Sequence, residues 1–295
     1  MPSLELLLFG LSAVLMVFVL FSVMKGLRYA TIAFDMIKVY PALLAVSYIG
    51  MAIGLLAVFP LLPYIALVLL LTVNTAYWLR EPVRWLREYR LSNLRHLFET
   101  LQSETFNVAS FDDYVRGELD PTRVNVFLRH DVDISLPRAR RLASMQKELG
   151  VLSTYFFRLH AEKYTFEEAQ PVIRELVEWG FGIGLHYETL SFTKGDKERA
   201  IEQFAQDLQA LRDFAPVSIV AAHGHRQYKN RQIWEYIDKS TLDVFSAYDM
   251  KSDIYISDAG GRRLRDEEGK HLFDRLYEAK PGQIVQVLIH PDWWA

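Results

Sequence analysis

The chain has 295 residues, of which 51% are hydrophobic and 23% are charged, and its formal net charge at pH 7 is -3. A net charge this small argues against nucleic acid as a partner, because nucleic-acid binding usually needs a strongly basic surface. The chain contains no cysteine, which excludes disulfides, thiolate metal ligands and a cysteine nucleophile.

The N-terminal part contains long apolar stretches of the kind that cross membranes. Residues 4–24 are apolar apart from Glu5 and two serines, and residues 39–79 contain no charged residue. A span takes about 20 residues, and residues 39–79 would form a helix of about 60 Å, twice the thickness of the hydrocarbon layer. Pro60 and Pro63 lie where a turn between two spans is needed. The sequence therefore predicts a transmembrane region over residues 1–80, with spans at 4–24, 41–59 and 62–79.

Positive residues on both sides of the last two spans predict that these flanks are cytoplasmic, since short loops rich in Lys and Arg stay on that side. Lys25, Arg28 and Lys38 come before the two spans, and five arginines follow them. The soluble domain is therefore predicted on the cytoplasmic side of a bacterial inner membrane, after an interfacial helix and lead-in at residues 81–121. The five arginines are Arg80, Arg84, Arg87, Arg90 and Arg95.

A cleavable signal peptide is the alternative for the first apolar stretch, residues 4–24. Such a peptide would have its positive residues before the apolar core, whereas Lys25 and Arg28 follow it here.

Residues 122–295 show short apolar runs that alternate with longer amphipathic ones. This alternation is typical of an α/β fold with a mostly parallel sheet, either open or closed into a barrel, and six or seven units favour a barrel. Turn and capping residues such as Ser135, Pro137 and Gly150 mark helix ends. The predicted strands are 124–128, 154–157, 182–185, 217–222, 244–247, 253–257 and 284–289, and the predicted helices are 135–148, 166–179, 197–212 and about 233–239.

Six of the eight histidines lie at the carboxyl ends of predicted strands, where the loops of such folds form the functional site. Asp131 and Asp133 follow the first strand and share one face of it, because side chains alternate along a strand. Two carboxylates on one face repel each other unless a cation or proton lies between them, although helix capping is a simpler alternative. Imidazole and carboxylate without cysteine are the ligands of an open zinc or other divalent-metal site. The six histidines are His130, His160, His186, His223, His225 and His290.

Three motifs resemble the NodB-type polysaccharide deacetylases, carbohydrate esterase family 4, in a divergent branch that opens with Arg-His-Asp-Val-Asp. They are Leu-Arg-His-Asp-Val-Asp-Ile at 128–134, Gly-Ile-Gly-Leu-His-Tyr-Glu at 182–188 and Leu-Ile-His-Pro-Asp at 288–292. The resemblance covers residues 94–294 and implies a distorted (β/α) barrel of about seven strands. It therefore implies a catalytic domain at residues 122–295.

The resemblance also implies roles for individual residues. Asp131 would be the catalytic base, Asp133 and His186 would be metal ligands, and His290 would be the general acid. The family places a second histidine four residues after the first, but Leu190 stands at that position here. The third ligand would then be His223, which directly ends its strand, or His225.

The resulting prediction is a metal-dependent hydrolase, with zinc or another divalent ion, that removes acetyl groups from an amino sugar. The location favours a lipid-linked or nucleotide-linked glycan precursor as the carbohydrate substrate and the lipid bilayer as a partner. The alternatives are an esterase or amidase acting on another substrate, and a catalytically inactive carbohydrate-binding membrane protein. Two residues are substrate-binding candidates: Trp293 would stack on a sugar or only seal the barrel, and Asp258 lies in a loop that would reach over the mouth or form a plain turn.

Overall fold

The computed structural model describes residues 71–76, 79, 83–84, 86–261, 264–265 and 269–294. The chain divides into two compact units, Met1–Glu88 and Tyr89–Ala295. In the first unit the described residues are helical, and the predicted spans 4–24, 41–59 and most of 62–79 lie outside the described residues. None of the helices in the described residues has both the length and the apolar character that a membrane span needs. The three spans therefore stay a prediction.

The second unit is built on one sheet of eight strands, and every ladder between its described strands is parallel. The order is β6-β5-β4-β3-β2-β8-β7, and β1 pairs with the first residues of β2. Among the described residues no ladder joins β6 to β7, so the seven-strand path curves as a half-barrel with an open seam. The strands are β1 Phe106–Val108, β2 Val124–Val132, β3 Thr154–Phe157, β4 Gly182–Tyr187, β5 Ile219–Ala222, β6 Phe245–Ser246, β7 Ile254–Ser257 and β8 Ile284–Ile289.

Six α-helices and four short 3-10 helices complete the described part of this unit. The longer helices begin at local signals: Thr165 and Glu168 form a capping box at the start of α4, and Asp196 caps α6. The α-helices are α1 Leu91–Leu101, α2 Phe111–Arg116, α3 Leu136–Glu148, α4 Phe166–Glu178, α5 Thr189–Phe192 and α6 Lys197–Arg212, and the 3-10 helices are Asn230–Glu235, Lys239–Thr241, Leu272–Glu278 and Pro291–Trp293.

Two apolar clusters hold this architecture together. The outer cluster lies between the sheet and the helices α3, α4 and α6, and it includes Tyr155, Leu185, Ile173 and Phe204. The inner cluster fills the barrel and includes Phe111, Phe127, Phe156, Ile219 and Ala221. An ideal Cβ at Gly184 would lie 2.4 Å from the Phe156 ring, so a glycine is needed where that ring crosses the barrel.

The strand and helix predictions are largely confirmed, with several differences. Strand β2 continues to Val132, so most of the Arg-His-Asp-Val-Asp motif is strand and not loop. The helix predicted near 233–239 is a 3-10 helix at Asn230–Glu235 followed by another at Lys239–Thr241. Strand β1 and helix α2 were not among the predicted elements, and α2 places Phe111 in the inner cluster.

Candidate active site

Strand β2 presents alternate residues to the barrel interior and to the surrounding helices. The Arg129 guanidinium lies inside the barrel, 5.2 Å from the ring centroid of Phe156. His130 is fully buried, and Val132 belongs to the outer cluster. Asp131 and Asp133 therefore project towards the same interior space, as the strand periodicity predicts.

Asp131 is held by a buried arginine from its own strand. Arg129 donates from Nε to Oδ1 and from Nη2 to Oδ2 of Asp131, both at 2.7 Å, and the two side chains are almost fully buried. Burial alone would raise the pKa of Asp131, but the charge of Arg129 outweighs burial and lowers that pKa below its usual value. Asp131 is therefore an ionised carboxylate that Arg129 holds in place, and its Oδ2 faces the site.

Asp133, His186 and His223 bring three potential ligand atoms within 4.8 Å of one another. His186 Nε2 lies 3.4 Å from Asp133 Oδ1, and His223 Nε2 lies 3.8 Å from the same oxygen. His186 is oriented by its other nitrogen, Nδ1, which is 3.1 Å from the carbonyl oxygen of Ala221. His223 is placed by its backbone, since its N-H donates to the Tyr187 carbonyl at 2.8 Å.

This group fits a divalent cation. Asp133 Oδ1 is buried and has no hydrogen-bond partner among the described residues. Ligand atoms about 2.1 Å from a tetrahedral zinc ion lie about 3.4 Å from one another, close to the 3.4 and 3.8 Å that separate Asp133 Oδ1 from the two histidine nitrogens. Burial lowers the pKa of His223 to about 4, so its imidazole is neutral and able to donate a lone pair. Two imidazoles and a carboxylate also form a known three-ligand set for catalytic zinc.

His290 lies on the opposite side of this group. Its Nε2 is 4.0 Å from Asp131 Oδ2 and 3.9 Å from Asp133 Oδ2. Its Nδ1 is 2.6 Å from Oδ1 of the fully buried Asp258, and its backbone N-H donates to the other oxygen of Asp258 at 2.8 Å. Burial opposes the charged form, yet Asp258 and the site aspartates raise the pKa of His290 to about 10. His290 is therefore a positioned imidazolium.

Asp292 holds the loop that carries Asp133. Its carboxylate accepts the backbone N-H groups of Asp133, Ile134 and Ser135 at 3.1, 3.2 and 2.6 Å, and its carbonyl oxygen accepts from Arg138. Burial and the nearby charge of Asp133 raise the pKa of Asp292 to about 7. The segment that follows the last strand thus contributes both His290 and the residue that fixes the turn after β2.

Three of the six strand-end histidines do not join the group. His225 is exposed, and its Nδ1 accepts the backbone N-H groups of Gln227 and Tyr228. His160 pairs with Asp207 at 2.9 Å. His130 points away from the barrel interior, so His223, and not His225, is the histidine that the structure adds to Asp133 and His186.

The substrate-binding predictions for Trp293 and Asp258 do not agree with their burial. Trp293 is 7% exposed, and its ring packs so closely on the Gly261 backbone that an ideal Cβ there would lie 2.4 Å from it. Asp258 is 0% exposed and also accepts a hydrogen bond from Trp294 Nε1 at 3.2 Å. In this structure Trp293 packs at the barrel end and Asp258 contacts His290, and a role of either residue at a substrate stays a prediction.

Sequence reasoning missed the residues that support the site. Arg129 and Asp292 were inside the quoted motifs, yet no pattern assigned them to Asp131 and to the Asp133 loop. Asn230 donates from Nδ2 to the His223 carbonyl at 2.9 Å and accepts from the Ser191 N-H at 2.8 Å. Asn230 is buried, but it stands in a polar stretch of sequence, and nothing in that stretch indicates that one of its residues is buried.

No family model matches this chain, and no curated protein is similar enough to match it. Solved structures of carbohydrate esterase family 4 do match. A Streptococcus mutans CE4 esterase is 15% identical, with a TM-score of 0.42 over 62% of this chain and 80% of that chain. Peptidoglycan deacetylase PdaC from Bacillus subtilis is 16% identical, with a TM-score of 0.41 over 59% of this chain and 77% of that chain.

A third similar structure is a CE4 family pseudoenzyme from Bacillus anthracis. It is 13% identical, with a TM-score of 0.41 over 58% of this chain and 56% of that chain, so this chain spans little more than half of that protein's length. The family to which the sequence motifs are similar is thus also the family of these structures, which includes esterases, a deacetylase and a pseudoenzyme.

Proposed function

We propose that this chain is a divalent-metal-dependent hydrolase that removes the acetyl group from an N-acetylated amino sugar. One observation carries the proposal: Asp131 Oδ2 and His290 Nε2 lie 4.0 Å apart, beside the Asp133, His186 and His223 group. Amide hydrolysis needs a base that takes a proton from water and an acid that gives one to the leaving amine. Two neighbouring groups whose pKa values are shifted in opposite directions suit these two tasks.

Asp131 would act as the base. Its Oδ2 faces the site, while Arg129 holds the carboxylate in place and keeps it ionised. Water attacks the acetyl carbonyl carbon as Oδ2 accepts one of the water's protons. A buried pair fixed by two hydrogen bonds needs little reorganisation during this step.

His290 would act as the acid. Asp258 holds its Nδ1, so the proton on Nε2 is the one directed into the site. As the carbon–nitrogen bond breaks, Nε2 donates this proton to the amine nitrogen, and acetate and a free amino sugar leave. A cation nearby would lower the high pKa of His290 towards a value suited to proton transfer near neutral pH.

Asp133, His186 and His223 would hold the metal ion. When bound, such an ion polarises the carbonyl and lowers the pKa of water towards neutrality. Zinc suits this ligand set, and other divalent ions are compatible with it.

The cellular setting is part of the proposal and rests on the sequence. Three predicted spans and cytoplasmic arginines suggest an enzyme of the bacterial inner membrane whose domain faces the cytoplasm. A lipid-linked or nucleotide-linked glycan precursor is the amino-sugar substrate that such a location favours.

The test is acetate release from N-acetylated glycan precursors by the full-length protein, with parallel detection of a new primary amine and of bound metal. Release of both products, lost on chelation and restored by added divalent ion, is the expected result. Acetate without a new amine would indicate an esterase instead.

A catalytically inactive carbohydrate-binding protein is the second candidate. It is favoured by Leu190, which is 6% exposed and packs in the outer cluster at the position of the family's second histidine. The family also contains a pseudoenzyme. Stoichiometric metal without turnover on any acetylated precursor would support this candidate.

A further inference from the structure

We infer that Glu188 is the positioning residue of His223, and that buried Arg158 is the partner that holds the Glu188 carboxylate in place. The inference rests on the proposed function, because it concerns the metal group of that site. It explains how a histidine from the neighbouring strand β5 could replace the one that is missing at Leu190.

The His223 ring has one nitrogen for the metal group and one nitrogen without a hydrogen bond. Nε2 faces Asp133 Oδ1 at 3.8 Å, whereas Nδ1 is buried and has no hydrogen-bond partner among the described residues. Glu188 Oε2 lies 3.7 Å from Nδ1. An imidazole that binds a cation through Nε2 carries its proton on Nδ1, and that proton would point at Glu188.

The two ligand histidines thus differ in how their rings are held. His186 already directs Nδ1 to the Ala221 carbonyl at 3.1 Å. In His223 only the backbone is fixed, through Tyr187 and Asn230. Metal-bound histidines almost always give their second N-H to a carboxylate, a carbonyl or water, which sets the ring orientation. Glu188 is the carboxylate in position to accept it.

Arg158 makes a buried carboxylate at this position tolerable. Its Nε and Nη2 bind the two oxygens of Glu188 at 3.0 and 2.5 Å, and both side chains are less than 10% exposed. An unpaired buried charge is strongly destabilising, so a buried carboxylate at this position needs a buried positive charge beside it. Arg158 Nη1 is also 3.4 Å from the Asp133 carbonyl oxygen, which links the pair to a second ligand residue.

The register of strand β4 explains why Glu188 can serve His223. Glu188 is two residues after His186, so both side chains extend to the same side of the strand. Strand β5 lies beside β4, and the Tyr187–Ala222 register sets His223 next to the end of β4. The Glu188 carboxylate, just after β4, can therefore lie beside the His223 imidazole, just after β5.

The experiment measures Zn²⁺ and Co²⁺ affinity of the full-length protein by competition with a chromophoric chelator. We expect Glu188→Gln to weaken binding about 10–100-fold, the usual effect of losing such a partner. Glu162→Gln is the matched control, because Glu162 binds the same arginine at 2.9 Å but has a side chain that is 73% exposed. The metal affinity of the Glu162→Gln variant should equal that of the unmodified protein. Equal affinity in Glu188→Gln would overturn the inference.

A double variant separates positioning from folding, since Glu188→Gln alone deprives buried Arg158 of its buried counter-charge. Arg158→Gln with Glu188→Gln removes both charges and should restore the stability of the metal-free protein, but metal affinity should stay low. Recovery of affinity together with stability would overturn the inference. If the unmodified protein bound neither ion, the proposed function itself would fail, and that outcome is distinct from equal binding by all variants.

Discussion

Replacing Asp131 by Asn removes one carboxylate with two separate tasks. Asp131 is the proposed base, and it is also the partner of Arg129, whose side chain is 0% exposed. Asn keeps the size of the side chain but carries no charge and offers only one acceptor oxygen. We therefore expect two losses of different origin in the Asp131→Asn variant.

Each loss has its own expected size. Leaving a fully buried arginine without its carboxylate costs about 3–5 kcal/mol of the free energy of unfolding. Removing a general base lowers turnover about 10²–10⁴-fold. Metal content should be unchanged, because Asp133, His186 and His223 are intact.

The pH dependence has a definite sign. The pKa of Asp131 is lower in the folded protein than in the unfolded chain, so its stabilisation is present above the unfolded value of about 3.9. It is lost as the pH falls through the folded value. The difference in unfolding free energy between the unmodified protein and Asp131→Asn should therefore narrow below about pH 4.

The assay combines denaturant unfolding, metal analysis and acetate release on the full-length protein. Arg129→Met together with Asp131→Asn serves as the control, since removing both members of a buried pair is often nearly neutral for stability. It should recover stability but not turnover. Full turnover in Asp131→Asn, or its recovery in the double variant, would refute the role of Asp131 as the base.

Three further predictions concern histidines. His290→Ala should slow amide hydrolysis about 10²–10⁴-fold and slow an activated ester much less, because that leaving group needs no proton; equal losses would argue against a general acid. His223→Ala should lose bound metal and acetate release while His225→Ala keeps both, and metal analysis showing the reverse would exchange their roles. Asp207 outweighs burial and raises the pKa of His160, so this pair stabilises the fold fully below about pH 6.5 and loses its effect as the pH rises through the folded value. Asp207→Asn should accordingly destabilise the protein more at pH 5 than at pH 9 in denaturant unfolding, and a pH-independent loss would contradict this.

The regular elements could be predicted because their signals are local. The predicted ranges 154–157, 197–212 and 284–289 coincide with β3, α6 and β8, since side-chain periodicity and capping depend on neighbouring residues. The range 233–239 failed because its apolar residues pack as short 3-10 turns against the barrel. The periodicity of so short a segment does not distinguish these conformations.

The metal group could be predicted in outline because parallel strands end at one rim. Any side chain that follows β2, β4 or β5 comes close to the others, which is sufficient to collect Asp133, His186 and His223. The sequence favoured His223, which directly ends its strand, but left His225 open as the alternative. The turn at residues 225–228 decides between them, because His225 Nδ1 accepts two backbone N-H groups there.

The supporting partners could not be predicted because they join distant parts of the chain. Asp258 reaches His290 over 32 residues, and Asp292 reaches the Asp133 backbone over 159 residues. A sequence pattern shows that these residues are polar but not which atoms they meet. For the same reason the sequence did not show that Trp293 and Asp258 are buried.

The sequence by itself determined the alternation of strands and helices, the common face of Asp131 and Asp133, and the strand ends that carry His186, His223 and His290. These features follow from side-chain periodicity and from the parallel direction of the strands. Only the tertiary structure decided which charges became partners: Arg129 with Asp131, Asp258 with His290 and Arg158 with Glu188. The reason is that burial makes each charge depend on one specific counter-charge within hydrogen-bonding distance, and that distance is set by the packing of the whole barrel.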